Sequence, residues 1–241
     1  MIFPAIDLMD GGCVRLHKGD FAQRTNYDVD PISVAKSYED AGAKWIHIVD
    51  LDGAKHGSTT QSNLIIDIAK STELKVQTGG GIRELGQIKR LLDGGVERVV
   101  IGSLAITNPV MVKFWLSELG PERIVLALDV NINDDGVPYP ATRGWTEAAD
   151  KSLWDVLSDY SGSGLKTVLV TDIGRDGVMV GSNVDLYKDI AARFPDLDII
   201  TSGGVGKIAH VKALKKLKPH GIIIGKALYE GAFTVEDAIK C

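Results

Sequence analysis

Three short motifs recur in this chain at nearly one spacing. "AID", ending at Asp7, returns as "ALD", ending at Asp129, 122 residues later. "HIVDLDG", ending at Gly53, returns as "VLVTDIG", ending at Gly174, 121 residues later. Gly80 of "QTGGGIR" returns as Gly203 of "TSGGVGK", 123 residues later. Self-similarity at a long period fixes architecture ahead of local propensity. Two like halves are therefore expected, approximately 1–121 and 122–241.

Each half contains four apolar runs: "IFPAIDL", "WIHIVDL", "LKVQT" and "RVVIG", then "RIVLALDV", "TVLVTDI", "LDIITS" and "GIIIG". They are apolar throughout instead of alternating, as strands of a parallel sheet covered on both faces are. Helical patterns lie between them. Asp30–Gly42, Asn63–Ser71, Leu85–Gly95, Asn108–Gly120, Ser152–Ser161, Asn183–Phe194 and Lys207–Leu217 carry start and stop signals such as Asp-Pro before the first turn and Gly after the last. A weaker one covers Ala227–Lys240. Eight β–α units in 241 residues match a single (β/α)8 TIM barrel with an internal half-barrel repeat, one domain over residues 1–241. An open doubly wound sheet would have fewer units. The longest irregular stretch is Asn131–Lys151, and loops of that length are usually functional or disordered.

A net charge of −5 argues against broad binding to nucleic acid or an anionic membrane, though not against a small phosphate pocket. Cys13 and Cys241 give neither a disulfide framework nor metal spacing and suit a reducing cytoplasm. "MIFPAIDLMDGG" has no basic region before its apolar run, and no long apolar stretch follows, so neither a signal peptide nor a membrane span is expected. The five histidines show no HxxxH or HxH spacing, so no metal is expected.

In this architecture chemistry belongs at the C-terminal ends of strands and in the loops after them. Asp7 ends strand 1, and Asp129 ends strand 5 across the axis. Asp50 ends strand 2, and Thr171 and Asp172 end strand 6. One glycine pair is most simply a turn. Here two pairs follow apolar strands, each 22 residues before an "IG". Backbone amides of Gly80, Gly81, Gly102 and Ser103 in one half, and of Gly203, Gly204 and Gly225 in the other, suit two phosphate sites. A ligand with a phosphate at each end would use both. Asp7 and Asp129 would flank its middle as base and acid. Asp176, in "DIGRDGVMVGS", is a third acidic candidate, although Asp-Gly is also a turn signal. His47 lies within strand 2 and either contacts the ligand from inside the barrel or packs outward. Trp145, beside Arg143 in the long loop, suits a flat polar ring. Arg15–Asp30 reads as a polar loop able to close as a lid.

"PAIDLMDGGCVRLHKGDF", "VDLDGAKHG", "QTGGGIR", "RVVIGS", "LALDV", "GWTE", "TDIGRDGVMVGSN", "SGGVG" and "GIIIGKALYEG" together resemble the phosphoribosylformimino-5-aminoimidazole carboxamide ribotide isomerases of histidine biosynthesis, nearly end to end. The resemblance implies a (β/α)8 barrel and an Amadori rearrangement of a bis-phosphorylated aminoaldose to an aminoketose, with no cofactor. It implies Asp7 as proton acceptor, Asp129 or Asp176 as donor, and Arg15, Arg83, Arg143, Trp145 and Thr171 as substrate contacts. A monomer is expected. The paralogous cyclase subunit of imidazole glycerol phosphate synthase is the nearest alternative, but its first motif has lysine where this chain has Arg15. An isomerase that also accepts phosphoribosylanthranilate, or a non-catalytic sugar-phosphate-binding barrel, are the others.

Overall fold

A computed structural model of the chain describes residues 1–17, 19–142, 145 and 147–241, His17 in its backbone only. Among them, eight parallel strands follow in order: β1 (Ile2–Met9), β2 (Trp45–Asp50), β3 (Lys75–Gly79), β4 (Arg98–Ile101), β5 (Ile124–Ile132), β6 (Thr167–Asp172), β7 (Asp198–Ser202) and β8 (Gly221–Ile224). Each pairs with its successor, and β8 pairs with β1, so the sheet closes into the expected barrel.

Closure explains the continuous apolar runs. Alternate residues face two different apolar layers. Phe3, Ala5, Trp45, Val100, Val125, Leu169, Ile200 and Ile223 pack together inside the barrel. Ile6, Leu8, Ile46, Ile48, Val76, Ile101, Leu126 and Val168 pack outward with the helices. The expected helices form and start on the residues that signalled them. Asp30 accepts from the Ser33 amide at the head of Pro31–Asp40, Asn108 from Met111 at the head of Pro109–Leu119, and Ser152 from Asp155 at the head of Leu153–Asp159. The weak pattern at Ala227–Lys240 is two helices, Lys226–Tyr229 and Val235–Lys240. Gly231, at φ +64°, ends the first, and Thr234 caps the second.

Two segments read as loops contain strands. After β1 the chain turns at Asp10 (φ +52°) and Gly11 (φ +77°), a left-handed pair that suits a two-residue hairpin. The strand Gly12–His17 then runs back along β1, with Val14 opposite Asp7, and pairs with Asp20–Tyr27. The proposed lid is thus a β-arm. Within the Asn131–Lys151 stretch, β5 continues to Ile132 and pairs antiparallel with Pro138–Thr142 across an Asn-Asp-Asp-Gly turn. Two prolines in that strand masked it as a loop; Pro138 and Pro140 are tolerated because the strand continues only into the two-residue Glu147–Ala148.

Candidate active site

Strand parity sorts the carboxylates at the strand ends. Ala5 and Asp7, His47 and Val49, Val100 and Gly102, Ala127 and Asp129, and Leu169 and Thr171 all line one cavity of about 670 Å³ at the C-terminal mouth of the barrel. That volume lies within the ~300–1,000 Å³ range of small-molecule sites. Asp50 and Asp172 fall on the opposite parity and do structural work. Asp50 accepts the Gly53 amide (2.7 Å) and the Gln61 amide (2.8 Å). Asp172 accepts the Gly174 amide (3.0 Å) and Asn183 Nδ2 (2.8 Å). These two aspartates therefore hold the loops after β2 and β6 and leave the cavity to Asp7, Asp129 and Asp176.

Arg15, carried over the mouth by the β-arm, ties two of those three together. Its Nη1 donates to Asp7 Oδ2 at 2.7 Å, and its Nη2 donates to Asp176 Oδ1 at 3.1 Å. Burial opposes a charge on Arg15, but Asp7 and Asp176 outweigh it and hold its pKa above the ordinary value. Burial likewise lifts the Asp7 carboxyl, against the pull of the guanidinium and with a further push from Asp176. Arg15 thus supplies the cation that an ionised Asp7 requires.

Asp129 has different company. Its Oδ2 accepts the indole Nε1–H of Trp145 at 2.8 Å, and Thr171, its register partner on β6, is a second hydrogen-bond donor to it. Burial raises the carboxyl above the usual carboxylate range, and the two neutral donors only partly offset this. Trp145 holds a left-handed backbone (φ +71°), and its ring lies against Gly19 at the tip of the arm, where a Cβ would come within 2.5 Å of the indole. The arm and the β5 loop therefore meet through this ring.

The raised Asp129 pKa has a consequence for stability. The folded state holds the Asp129 proton to higher pH than the unfolded chain does. The stabilisation is fully present below the unfolded-state pKa and is lost as pH rises through the folded one. Above that window Asp129→Asn, which keeps an acceptor for Trp145, is expected to raise the melting temperature while reducing activity. Thermal unfolding followed near pH 7 and near pH 3 checks this: the gain belongs to neutral pH, and an equal gain at both would place its origin elsewhere.

The glycine pairs occupy equivalent places in the two halves. Gly81 (φ +72°) and Gly204 (φ +83°) are left-handed, and each presses on the loop of the preceding unit. A Cβ on Gly81 would lie 2.5 Å from Gly53 O and 2.6 Å from Ser58 O. A Cβ on Gly204 would lie 2.5 Å from Gly181 O. Gly102 differs, having open space around it. Beyond them, the next units supply the short helices Leu104–Thr107, after Ser103, and Lys226–Tyr229, after Gly225.

Every residue expected at the site lines the cavity, with the exception of Arg143, which lies outside the described residues. His47 faces inward, buried, with Nδ1 3.0 Å from Gln77 Nε2. Arg83 packs its guanidinium over Gly57 at the end of the helix Leu51–His56. Lys226 donates to Gly177 O at 3.0 Å and so tethers the β6 loop. Phe21, Ser202 and Met179 also line the cavity and were not expected there. Ser202 shares the inward parity of Ile200 and ends β7 directly before the glycine pair, which was the available signal; Phe21 and Met179 had none. His210 is half-buried and accepts the Gly206 amide at Nδ1 (3.1 Å). Its place one turn into the helix that follows Gly206 explains this. Among the described residues, no group of three or more His, Cys, Asp or Glu side chains is arranged to hold a metal, and no helix is long and apolar enough to cross a membrane.

Comparison with known proteins bears on this geometry. The profile of a family described as "Histidine biosynthesis protein" matches residues 1–234. A protein of Alteromonas mediterranea is 50% identical over 241 residues, covering 100% of this chain and 98% of its own length. One of Francisella philomiragia is 49% identical over 240 residues, covering 100% and 99%. One of Pseudoalteromonas atlantica is 49% identical over 241 residues, again covering 100% and 99%. All three are named 1-(5-phosphoribosyl)-5-((5-phosphoribosylamino)methylideneamino) imidazole-4-carboxamide isomerase. With a profile match over nearly its whole length and relatives of about half identity aligned end to end, the chain belongs to the histidine biosynthesis protein family.

Proposed function

We propose that the chain catalyses the isomerisation carried in its relatives' names, as an Amadori rearrangement of the bis-phosphorylated aminoaldose to the aminoketose. The observation that carries this reading is one cavity with inward carboxylates on β1 and β5 and a left-handed glycine turn after β3 and again after β7. The phosphates at the two ends would lie on the amides of Gly80, Gly81, Gly102 and Ser103 and of Gly203, Gly204 and Gly225, with short helices behind them as in other barrels of this class. Arg83 and Lys226 flank opposite ends and make the ends chemically unequal. Holding both ends places the ribose between the acids, a positional contribution. The cyclase alternative is not favoured, since the relatives are named as isomerases.

The reaction needs a proton given to the ring oxygen while nitrogen electrons open the sugar to an iminium. The C2 proton is then removed to give an enolamine, and a proton added at C1 with loss of the C2 hydroxyl proton leaves a ketone at C2. Asp7, held beside a guanidinium, suits the base. Asp129, with neutral donors and a raised pKa, suits the acid; Asp176 shares Arg15 with the base and is assigned a supporting role. Arg15, His47, Trp145 and Thr171, with Arg143, would contact the substrate's middle. A monomer in a cytoplasmic setting completes the reading, and the two free thiols fit that setting.

The roles separate by pH profile. With Asp129 as acid, kcat/KM falls at high pH as Asp129 ionises and at low pH as Asp7 protonates. Asp129→Asn is expected to lose about 10²-fold or more together with the high-pH limb, whereas Asp176→Asn keeps that limb but moves it to lower pH, because the Asp176 charge helps to hold the Asp129 carboxyl up. The reverse ranking would move the acid to Asp176.

A further inference from the structure

Three polar side chains form a row beneath the cavity, beside the apolar layer inside the barrel. His47 on β2 is in register with Gln77 on β3, and Gln77 with Arg98 on β4. Gln77 is 0% and Arg98 3% exposed. Arg98 Nε donates to Gln77 Oε1 at 2.9 Å, and Gln77 Nε2 lies 3.0 Å from His47 Nδ1. Arg98 is fixed from the other side, its guanidinium 4.3 Å from the Trp45 ring centroid and 5.7 Å from that of Phe3.

The order of donors settles the protons. A guanidinium only donates, so the Gln77 carbonyl oxygen must face Arg98. The Gln77 amide nitrogen then faces His47, and it too only donates. Nδ1 of His47 must accept and is therefore bare. A neutral imidazole with a bare Nδ1 carries its proton on Nε2. The charged groups acting on the ring are Arg98 of β4 and Arg15 of the arm, both cations; Gln77 of β3 is uncharged, and Asp7, further along β1, is held by Arg15. Burial, with these two cations, drives the His47 pKa down to about 3.

We propose that Gln77 and Arg98 are positioning residues that lock His47 as the neutral Nε2–H tautomer, a fixed uncharged donor on the cavity floor for an oxygen of the substrate's opened sugar. Resting on the isomerase reading, this deepens it: a neutral imidazole can polarise a carbonyl or enol oxygen without drawing the proton of a nearby acid, as such groups do in other isomerases. A lysine or imidazolium there would place a third cation beside Arg98 and Arg15.

The test is long-range ¹H–¹⁵N NMR of the histidine rings in the free wild-type protein, with His47 assigned through its backbone. The expected spectrum has Nε2 protonated and Nδ1 bare, unchanged between about pH 8 and about pH 5, below the ordinary His pKa. A protonated Nδ1, or titration in that range, overturns the lock. The second arm is Gln77→Met, which removes the donor at similar volume. It is expected to lower kcat by about 10-fold or more, the scale of losing a side chain that orients a functional histidine, with KM little changed and both tautomers visible. An unchanged kcat with the tautomer lost would overturn the catalytic use. The spectrum needs no substrate, so a lock seen in a protein without isomerase activity would fault the functional reading alone.

Discussion

Asp7→Asn is expected to lower kcat by about 10²–10⁴-fold, the usual range for removing a general base, while substrate binding stays near wild type. The reason lies in how the strands place their ends. Asp7 points into the cavity from β1, and Asp50, the acid ending the neighbouring β2, is turned away and occupied with the Gly53 and Gln61 amides. Asp176 does not stand in for it either, because it approaches the same guanidinium from the far side of Arg15. Asparagine keeps an acceptor for Arg15, and Asp176 keeps that cation paired, so the fold is expected to survive. Steady-state kcat, with substrate affinity from calorimetry and the fold from circular dichroism, checks this. Turnover within about 3-fold of wild type would remove Asp7 as the base.

Gly81→Val and Gly204→Val are expected to weaken substrate binding, each by about 10–100-fold, the equivalent of ~1–3 kcal/mol of backbone strain moved into the binding loop. Both positions have a left-handed φ, which a β-branched residue adopts only with strain. Both lack room, since the added carbon meets Gly53 O and Ser58 O in the first half and Gly181 O in the second. Either turn must then shift, and its amides with it. Gly86→Ala is the control: open space surrounds that residue, which sits in the helix Leu85–Asp93 and does not line the cavity, so affinity is expected to remain close to wild type. Affinities are best measured in the Asp7→Asn background, where substrate is not consumed. If only one of the two valine variants lost affinity, the ligand would be held at one end and the two-ended reading would fall.

The barrel was legible because its strands are buried on both faces and its motifs repeat. The hairpin arm was not. Asp20–Tyr27 is mostly solvent-exposed, so no burial imposes an apolar pattern on "DFAQRTNY". The strand Pro138–Thr142 was hidden by its prolines. In the site, the glycine turns and the end-of-strand acids were readable because the architecture fixes where strand ends go. The contact between Arg15 and Asp176, 161 residues apart, depends on an arm that sequence presented as a loop. The separation of Asp7 from Asp50 was available in principle through alternation along β1 and β2. The Arg98–Gln77–His47 row was not, because polar residues at inward positions of short apolar strands look like strand-edge residues until their register is known.

The most direct measurement follows the purified protein with the aminoaldose named in its relatives, in deuterated water containing a metal chelator, by ¹³C and ¹H NMR. The expected result is loss of the anomeric C–H signal, appearance of a ketone carbon at C2 and solvent deuterium at C1, all absent with Asp7→Asn. Tight binding of the substrate with neither ketone nor deuterium incorporation would contradict the account, leaving a sugar-phosphate-binding barrel without the isomerisation.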